Sequence, residues 1–255
     1  MSRSRYTQQV AVQGFGEEAQ AKLRDGRVLI IGAGGLGTPV ATLLAAAGVG
    51  SITIMDPDRV EVTNLHRQFQ FTPSDVGAFK AAVLAERLKV QNPDVRVQAV
   101  TEPFTGTHST IAADYNVVCD CTDDLEARLV IDAACGKHGT PLVFAAAQGW
   151  EGYVTVLHHT RGFHLREAFD LSAFYADALL NCANSGIIPT TCAVIGSLQA
   201  NEALKILSGA GEVLDGSLLC IDLRTTTQRK FLLQRPGSWI YSARGDGDAR
   251  ALGSG

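Results

Sequence analysis

The sequence predicts an α/β protein with a Rossmann-like, doubly wound and mostly parallel sheet and an antiparallel C-terminal extension. In the first half, short apolar runs alternate with helix-like segments, which is typical of a parallel sheet. A glycine-rich turn, Gly32-Ala-Gly-Gly-Leu-Gly37, lies between the first apolar run and the first helix. In the second half, strand-like runs flanked by short turns favour antiparallel pairing.

Each element of the first half follows from a local pattern. The run 27–31 is apolar after its first residue, as in a strand buried on both faces. The alanine- and leucine-rich segment 36–47 predicts a helix that Gly48 ends. The other predicted strands are 51–56, 95–100, 116–120 and 141–144, and the other predicted helices are 74–90, stopped by Asn92-Pro93, and 124–138.

The second half is predicted to hold strands 153–157, 218–222 and 228–234. One long helix is expected over 190–207, beginning near Pro189, with apolar positions Val194, Ile195, Leu198 and Leu204 in the core. Residues 161–184 lack clear periodicity and predict an irregular crossover loop, a type of segment that is often functional.

The composition argues against nucleic-acid and membrane partners. The chain has 22 Lys and Arg against 26 Asp and Glu, a formal net charge of -4, and no run of basic residues. No apolar stretch has the length of a bilayer span, and the N-terminal residues lack the apolar core of a signal peptide. The six cysteines include no Cys-x-x-Cys pair and are expected to be free thiols, so we expect a cytoplasmic protein.

The glycine-rich turn has the context in which a nucleotide phosphate binds at a helix N-terminus. Gly32 permits the tight turn, and Gly37 lets the helix pack against the strand. Gly34 lets a phosphate approach the backbone, and Gly35 belongs to the same cradle. Asp56, at the end of the second strand, is placed to bind a ribose hydroxyl pair. These features fit NAD as well as ATP, and the alternative is a turn that only packs.

The polar connection that follows the second strand favours ATP over NAD. Its candidate binding residues, with one lysine further on, are Asp58, Asn64, Arg67, Gln68 and Lys80. Arg67 and Lys80 place two cations near the same strand ends, which suits a triphosphate and the charge that develops during phosphate transfer. The alternative is that each cation is a solvated surface residue.

Three carboxylates follow a later strand, in Asp120-Cys-Thr-Asp-Asp124. A ligand site is expected at this edge of a parallel sheet. We interpret Asp123 as a ligand of Mg²⁺ beside a phosphate oxygen, because Mg²⁺ prefers carboxylate, water and phosphate ligands. We interpret Asp124 as the N-cap of the next helix.

Taken together, these motifs resemble the ThiF/MoeB/HesA family, the bacterial relatives of ubiquitin-activating enzymes. The resemblance covers residues 5–235; each motif is weak alone, and the combination is highly specific. The matching motifs are Arg5-Tyr6 with Gln9, the turn 32–37, Ala47-Gly-Val-Gly50, Asp56-Pro-Asp58, Asn64-Leu-His-Arg-Gln68, Gly77 with Lys80, Asn92-Pro93, Asp120-Cys-Thr-Asp123, Gly196-Ser-Leu-Gln-Ala200 and Glu202-Ala-Leu-Lys205.

The resemblance implies an adenylyltransferase that uses ATP and Mg²⁺ to activate the C-terminal glycine carboxylate of a small ubiquitin-like sulfur carrier ending in Gly-Gly. Pyrophosphate leaves, and the acyl-adenylate accepts sulfur for thiamine, molybdopterin or secondary-metabolite thiolation. The implied contacts are Gly34 in the phosphate loop, Asp56 on the ribose, Asn64, Arg67 and Lys80 on the phosphates, and Asp123 on Mg²⁺. A homodimer and a possible sulfurtransferase partner are also implied.

The chain departs from the family pattern in its zinc cysteines and in its N-terminal motif. Where many members carry two Cys-x-x-Cys pairs, this chain has 163–166 and 238–241 without cysteine, so we predict no structural zinc site. His158, His159 and His164 are interpreted as surface or core residues. Gln8 stands where an arginine that reaches the partner subunit's ATP is usual; Arg3 or Arg5 substitutes, or the contact is lost.

Cys182 matches a cysteine that links covalently to the carrier in thiamine-type members. It is either a reactive thiol of that kind, and so a catalytic residue with Arg67, Lys80 and Asp123, or an unreactive buried thiol. The other five cysteines are interpreted as packing residues. Two alternatives to the adenylyltransferase stay open: an NAD-dependent oxidoreductase, and a non-catalytic ATP-binding scaffold of the same fold.

The predicted organisation has four parts. They are an N-terminal helical segment (1–25), a nucleotide-binding half (26–150), a carrier-binding, antiparallel half of the same domain (151–240) and a disordered tail rich in Gly, Asp and Ser (241–255).

Overall fold

A computed structural model describes residues 5–169 and 186–233, and in these ranges one sheet organises the chain. Its strands are β1 (Arg27–Ile31), β2 (Ser51–Met55), β3 (Arg96–Val100), β4 (Val117–Asp120), β5 (Leu142–Gln148), β6 (Glu151–Leu157), β7 (Ser217–Asp222) and β8 (Thr227–Leu232). The helices are α1 (Thr7–Val10), α2 (Gly16–Asp25), α3 (Gly37–Ala47), α4 (Lys80–Gln91), α5 (Leu125–His138), α6 (Leu165–Ala168) and α7 (Pro189–Ser208). None of the helices in these ranges combines the length and apolarity that a bilayer span requires.

The strand order β3-β2-β1-β4-β5-β6-β7-β8 confirms the predicted fold class. Strands β3, β2, β1, β4 and β5 pair in parallel, whereas β6, β7 and β8 extend the sheet by antiparallel pairing. Strand β1 lies between β2 and β4, so the chain reverses its direction of travel across the sheet there. In open α/β sheets, ligands bind in the crevice beyond the strand ends at such a reversal.

Both faces of β1 are buried, and its side chains alternate between two cores. Val28 and Ile30 pack in one hydrophobic cluster with residues of α3, α4 and α7. Leu29 and Ile31 pack in the other with residues of α5, including Ile131. This double burial explains the continuous apolar run, because an alternating pattern would leave polar side chains in one of the two cores.

Helix α7 is fixed to the sheet by a buried amide. Gln199 donates from Nε2 to the carbonyl oxygens of Asp120 (2.7 Å) and Val143 (3.0 Å), and thus bridges β4 and β5. Gly196 lets the helix approach α3, since a Cβ there would collide with the Pro39 ring. The predicted helix is confirmed, but Val194, expected in the core, is 36% exposed.

The N-terminal residues 5–9 contact the C-terminal ends of α3 and α4. Gln9 donates to the carbonyl oxygen of Ala47, at the end of α3 (3.0 Å). Asn92, which follows α4, donates to the Tyr6 hydroxyl (2.8 Å). Arg5 donates to the carbonyl oxygen of Gln91 (3.1 Å). These contacts clip the N-terminal segment to the outer ends of the two helices.

The helix predicted over 74–90 is wrong in its first part. The chain forms a 3-10 turn at Pro73–Asp75, and the α-helix begins only at Lys80. The Asp75 carboxylate accepts from the Thr72 backbone N–H (2.6 Å) and so caps the short turn instead of continuing a helix. Gly77 then adopts a left-handed φ of 89°, which redirects the backbone.

The loop predicted over 161–184 is also wrong in its described part, because the short helix α6 lies within it. His164 precedes α6, and its backbone N–H donates to the Glu167 carboxylate (2.9 Å), as in a capping box. Residues 170–185 lie outside the described residues.

Candidate functional site

A cleft of about 580 Å³ lies at the carboxyl edge of β1, β2 and β4, where the strand order reverses. Predicted site residues that line it are Gly34, Gly35, Asp56, Asp58, Asn64, Arg67, Gln68, Lys80 and Asp123. A second pocket of about 430 Å³ shares Asp56, Asp58 and Asp123 with the cleft and adds Gly32 and apolar side chains such as Phe104. The structure therefore brings the predicted residues together around one polar cleft with a more apolar annex.

The glycine-rich turn is shaped by two close approaches. Gly32 has a φ of 98°, and a Cβ there would lie 2.6 Å from the carbonyl oxygen of Cys121. Gly37 begins α3, and a Cβ there would collide with the carbonyl oxygen of Gly32. At Gly34, by contrast, the nearest atom to a Cβ would be Nε2 of Gln68 at 3.5 Å. Gly32 and Gly37 are therefore tightly packed against backbone, whereas the backbone at Gly34 is open towards the cleft.

Gly35 leaves space for a cysteine of α7. A Cβ at Gly35 would lie 2.7 Å from Sγ of Cys192, which borders the cleft. Burial raises the pKa of the Cys192 thiol to about 11, while the Arg67 guanidinium opposes this shift. Cys192 is therefore a protonated packing residue at neutral pH, as predicted, and lies close to the phosphate loop.

Asp56 braces the glycine-rich turn. Its Oδ2 accepts from the Ala33 backbone N–H (2.6 Å) and its Oδ1 from that of Asp58 (2.7 Å). Burial raises the pKa of this carboxyl, and the two backbone donors partly oppose the rise. Each carboxylate oxygen has a further lone pair, so Asp56 can still accept from a ligand hydroxyl at the boundary of the two pockets.

Lys80 is buried, and the alternative of a solvated surface lysine is wrong. Its side chain is 8% exposed and its Nζ lies 2.8 Å from Oδ2 of Asp58, which is 64% exposed. Lys80 is the first residue of α4, where the helix dipole disfavours a cation. The buried Lys80 ammonium is stabilised by one exposed carboxylate, that of Asp58, and disfavoured by the helix dipole. It can therefore bind an anionic ligand in the cleft.

The connection after β2 presents three polar side chains to the cleft. Asn64 closes a 3-10 turn, and its Oδ1 accepts from the Glu61 backbone N–H (3.2 Å). Arg67 donates from Nη1 to the carbonyl oxygen of Thr63 (3.1 Å). Gln68 is buried, and its Oε1 has no hydrogen-bond partner within the described residues. A buried amide with unused hydrogen-bonding capacity beside Gly34 fits a site made for a polar ligand.

A buried ion pair follows β4. Asp120 accepts through Oδ1 from the Thr122 backbone N–H (3.0 Å) and hydroxyl (2.7 Å). Its Oδ2 lies 3.8 Å from Nε of Arg128, and neither atom has a hydrogen-bond partner in the described part of the chain. Burial raises the pKa of Asp120, and the Arg128 charge opposes the rise.

The next two carboxylates behave differently from each other. The Asp124 side chain accepts from the Ala127 backbone N–H (2.7 Å), which confirms the predicted N-cap of α5. Asp123 is exposed in both pockets and makes no hydrogen bond or ion pair with any other described residue. A carboxylate without a partner among the described residues, beside an open polar cleft, is the kind of oxygen ligand that fits Mg²⁺.

Sequence reasoning missed a charged residue that is buried in the cleft wall. Arg128 is buried, lines the cleft and donates from Nη2 to the carbonyl oxygens of Thr122 (2.5 Å) and Ala145 (3.3 Å). The available signal was its position one turn after Asp124, on a helix that starts at the predicted ligand edge. Cys182 lies outside the described residues, and Gln8 is exposed on α1.

The chain matches the model of the ThiF family over residues 6–238. It is 39% identical over 237 residues to the sulfur carrier protein adenylyltransferase of Thermus thermophilus, covering 91% of this chain and 87% of that protein. It is also 39% identical over 232 residues to the sulfur carrier protein ThiS adenylyltransferase of Escherichia coli, covering 91% of each.

The fold is shared with a solved structure. The crystal structure of Escherichia coli MccB with ATP superposes with a TM-score of 0.81, over 94% of this chain and 74% of that chain. The sequence identity there is 20%, so this similarity concerns the fold alone.

Proposed function

This chain belongs to the ThiF family, and from that premise we propose that it is an ATP-dependent adenylyltransferase acting on the C-terminal glycine carboxylate of a small ubiquitin-like sulfur carrier. One observation carries the proposal. The cleft places an open glycine-rich turn, the buried cations Lys80 and Arg128, and the unpaired carboxylate of Asp123 around one space. Its relatives at 39% identity, named for the same reaction, support it.

The geometry fits the two parts of ATP to the two pockets. The base and ribose suit the more apolar annex, with Asp56 at its boundary as an acceptor for ribose hydroxyls. The triphosphate suits the polar cleft, where Gly34 leaves the backbone open and Arg67, Lys80 and Arg128 supply positive charge. Asp123 would hold Mg²⁺, whose charge screens the phosphates.

In the proposed reaction, a carrier carboxylate oxygen forms a bond to the α-phosphorus while the bond from that phosphorus to the pyrophosphate oxygen breaks. Both reactants are anionic, so the cations of the cleft lower the repulsion and hold them in line. Pyrophosphate leaves with the electron pair of the broken bond. No protein nucleophile and no proton transfer is required for this step.

The two alternative functions, an oxidoreductase and a non-catalytic scaffold, require different features of the site. An NAD-dependent oxidoreductase has no use for three cations in addition to the glycine-rich turn, and no relative described above supports it. A non-catalytic scaffold would bind ATP without turnover; the absence of the usual arginine at Gln8 and the absence of the usual zinc cysteines are the features that favour it. Since Arg5 is bonded to Gln91 of its own chain, it is not free to replace that arginine without breaking this contact.

ATP–pyrophosphate exchange tests the proposal. Purified protein is given ATP, Mg²⁺, labelled pyrophosphate and a ubiquitin-like sulfur carrier ending in Gly-Gly, and the matched control is the same carrier without its last two glycines. We expect label in ATP only with the intact carrier. ATP binding without exchange would favour the scaffold. Binding of NAD and not of ATP, measured on the same protein, would favour the oxidoreductase.

Several finer parts of the proposal rest on the resemblance. They are the use of Mg²⁺, a homodimer, a sulfurtransferase partner and a covalent role for Cys182; the cytoplasmic location and the four-part division of the chain are proposed from the composition and sequence pattern instead. Sedimentation of the purified protein tests the homodimer, and mass spectrometry of wild type and Cys182→Ser after turnover tests the covalent link.

A further inference from the structure

We infer that Asp132, His158 and His164 form a binding site for a divalent transition-metal ion, of the zinc type, outside the nucleotide cleft. The three residues come from α5, the end of β6 and the segment before α6. One ligand atom from each lies within 4.8 Å of the other two. None of the three lines the cleft or its annex, so the proposed adenylation does not account for their convergence.

Two of the distances in the cluster are close to those between the ligands of a metal ion. Oδ1 of Asp132 lies 2.8 Å from Nε2 of His158, and Oδ2 lies 3.2 Å from Nδ1 of His164. Ligands at about 2.0–2.1 Å from a tetrahedral zinc ion are roughly 3.3 Å apart. The two histidines contact different oxygens of Asp132, so binding of an ion would replace these hydrogen bonds and turn the carboxylate.

The backbone around the cluster is arranged at some cost in stability. His158 has a left-handed φ of 55°, an uncommon conformation for a residue with a side chain. Gly136 lies within α5, although glycine weakens a helix interior by about 1 kcal/mol relative to alanine. A Cβ at that position would lie 2.6 Å from Cε1 of His164 and 2.9 Å from Cε1 of His158. The glycine thus leaves room for both imidazole rings.

The ligands are held in place from both sides. The Leu165 backbone N–H donates to Oδ1 of Asp132 (2.9 Å), which ties α6 to α5. The His158 backbone N–H donates to the carbonyl oxygen of Phe163 (3.3 Å), which closes the turn between the two histidines. The backbone N–H groups of Thr160 and Arg161 donate to Asp215 (3.0 Å each). A turn held in this way positions its ligands before an ion binds, which favours affinity.

The donor set selects the class of ion. Two imidazole nitrogens and one carboxylate oxygen are typical of zinc and other first-row transition metals, whereas Mg²⁺ and Ca²⁺ prefer oxygen ligands alone. His158 and Asp132 are buried, but the His164 side chain is 50% exposed, which provides an entry path and an open position for water. The sequence prediction of no zinc rested on missing cysteine pairs, and this site uses none.

Zinc binding by the intact protein tests the inference. Chelator-treated protein is titrated with Zn²⁺ in a calorimeter, and Co²⁺ is used as a spectroscopic probe of nitrogen and oxygen coordination. We expect one ion per chain and a higher Tm with Zn²⁺, since the assembled site binds the ion more tightly than the unfolded chain does. Loss of a residue that merely supports a metal ligand weakens binding by about 10–100-fold, so His164→Asn and Asp132→Asn should weaken it by roughly 100-fold or more.

The matched control is His159→Asn, because His159 is exposed and adjacent to His158 but lies outside the cluster. It should bind Zn²⁺ as wild type does. His164→Asn is the decisive variant, since a half-exposed side chain can be replaced without emptying the core. The inference would be overturned if wild type did not bind Zn²⁺ stoichiometrically, or if His164→Asn and Asp132→Asn bound Zn²⁺ as tightly as wild type. It would also be overturned if His159→Asn lost as much Zn²⁺ affinity as those two variants.

Discussion

The ends of β2 and β4 are built to the same plan on either side of β1. Asp56 directly follows β2, and Asp120 is the last residue of β4; both are buried. Each carboxylate accepts a hydrogen bond from a backbone N–H in the turn that follows its strand. Burial raises the pKa of both. Each is followed by a second, exposed carboxylate, Asp58 or Asp123.

The two ends differ in where the cation is placed. After β2, Lys80 pairs with the second, exposed carboxylate at 2.8 Å. After β4, Arg128 faces the first, buried carboxylate at 3.8 Å. As a result Asp58 is neutralised by the protein, whereas Asp123 has no partner among the described residues. The position of the cation therefore determines which carboxylate is free to bind an ion from solution.

The largest expected effect is that of removing the unpaired carboxylate. We expect Asp123→Asn to lower the rate of ATP–pyrophosphate exchange by roughly 1,000-fold or more, because a catalytic metal ion supplies several kcal/mol of transition-state stabilisation. Asp124→Asn is the matched control, since asparagine keeps the helix cap. Equal rates in Asp123→Asn and wild type would contradict the proposed metal ligand.

The buried pair after β4 should have the next largest effect, and its readout is stability. Arg128→Met leaves Asp120 buried without its cation, which we expect to lower the free energy of unfolding by about 3 kcal/mol. Urea denaturation measures the change. The double variant Asp120→Asn with Arg128→Met should recover part of the loss; no recovery would indicate that the guanidinium acts mainly through the carbonyl oxygens it contacts.

Removing the cation after β2 should act on ATP use. Lys80→Met is expected to lower kcat/KM for ATP by roughly 100-fold, as the loss of one electrostatic donor to a transition state commonly does. Asp58→Asn, which leaves the lysine in place, should lose less. If both variants lose the same activity, the pair acts as a unit and Lys80 does not act alone on the phosphates.

The raised pKa of Asp120 predicts a pH dependence of stability. The folded state binds the proton of the Asp120 carboxyl more tightly than the unfolded chain does. The contribution of this proton to the free energy of unfolding is therefore complete below the ordinary Asp pKa of 3.8, and it is lost as the pH rises through the raised pKa of Asp120. Asn at this position carries no such proton. The free energy of unfolding of Asp120→Asn relative to wild type should therefore increase as the pH rises above 3.8. A difference that stays constant with pH would contradict this expectation.

The smallest expected effect is the loss of stability on removing the Asp124 side chain, which caps α5, in contrast to the activity loss expected for Asp123. Asp124→Ala removes the N-cap of α5 and should cost about 1 kcal/mol in urea denaturation. Asp124→Asn should cost less, since an amide oxygen still caps the helix. A large loss of exchange activity in both variants would place Asp124 in the binding machinery and weaken the contrast with Asp123.

The sequence was sufficient for the sheet and for most of the cleft, since both depend on local patterns. Buried parallel strands are apolar runs, and their carboxyl ends meet at one edge, so the residues that follow them could be placed together. The start of α4 could not be predicted from periodicity, because the Asp75 cap and the conformation of Gly77 override it. The missed features also include side-chain pairings between different elements, such as Arg128 of α5 with Asp120 of β4 and Asp132 with two histidines.

The seating of α7 on the sheet has a consequence for synthesis of the chain. The five parallel strands are complete once Gln148 has been made, but the face that includes Val28 and Ile30 is covered by Ile195 and other residues of α7. At about 5–20 residues per second, the nascent chain exposes that apolar face for several seconds before α7 has been translated. A ribosome that pauses in this interval would leave a chain prone to aggregation, so slow codons should be tolerated better after Ser208 than before Pro189.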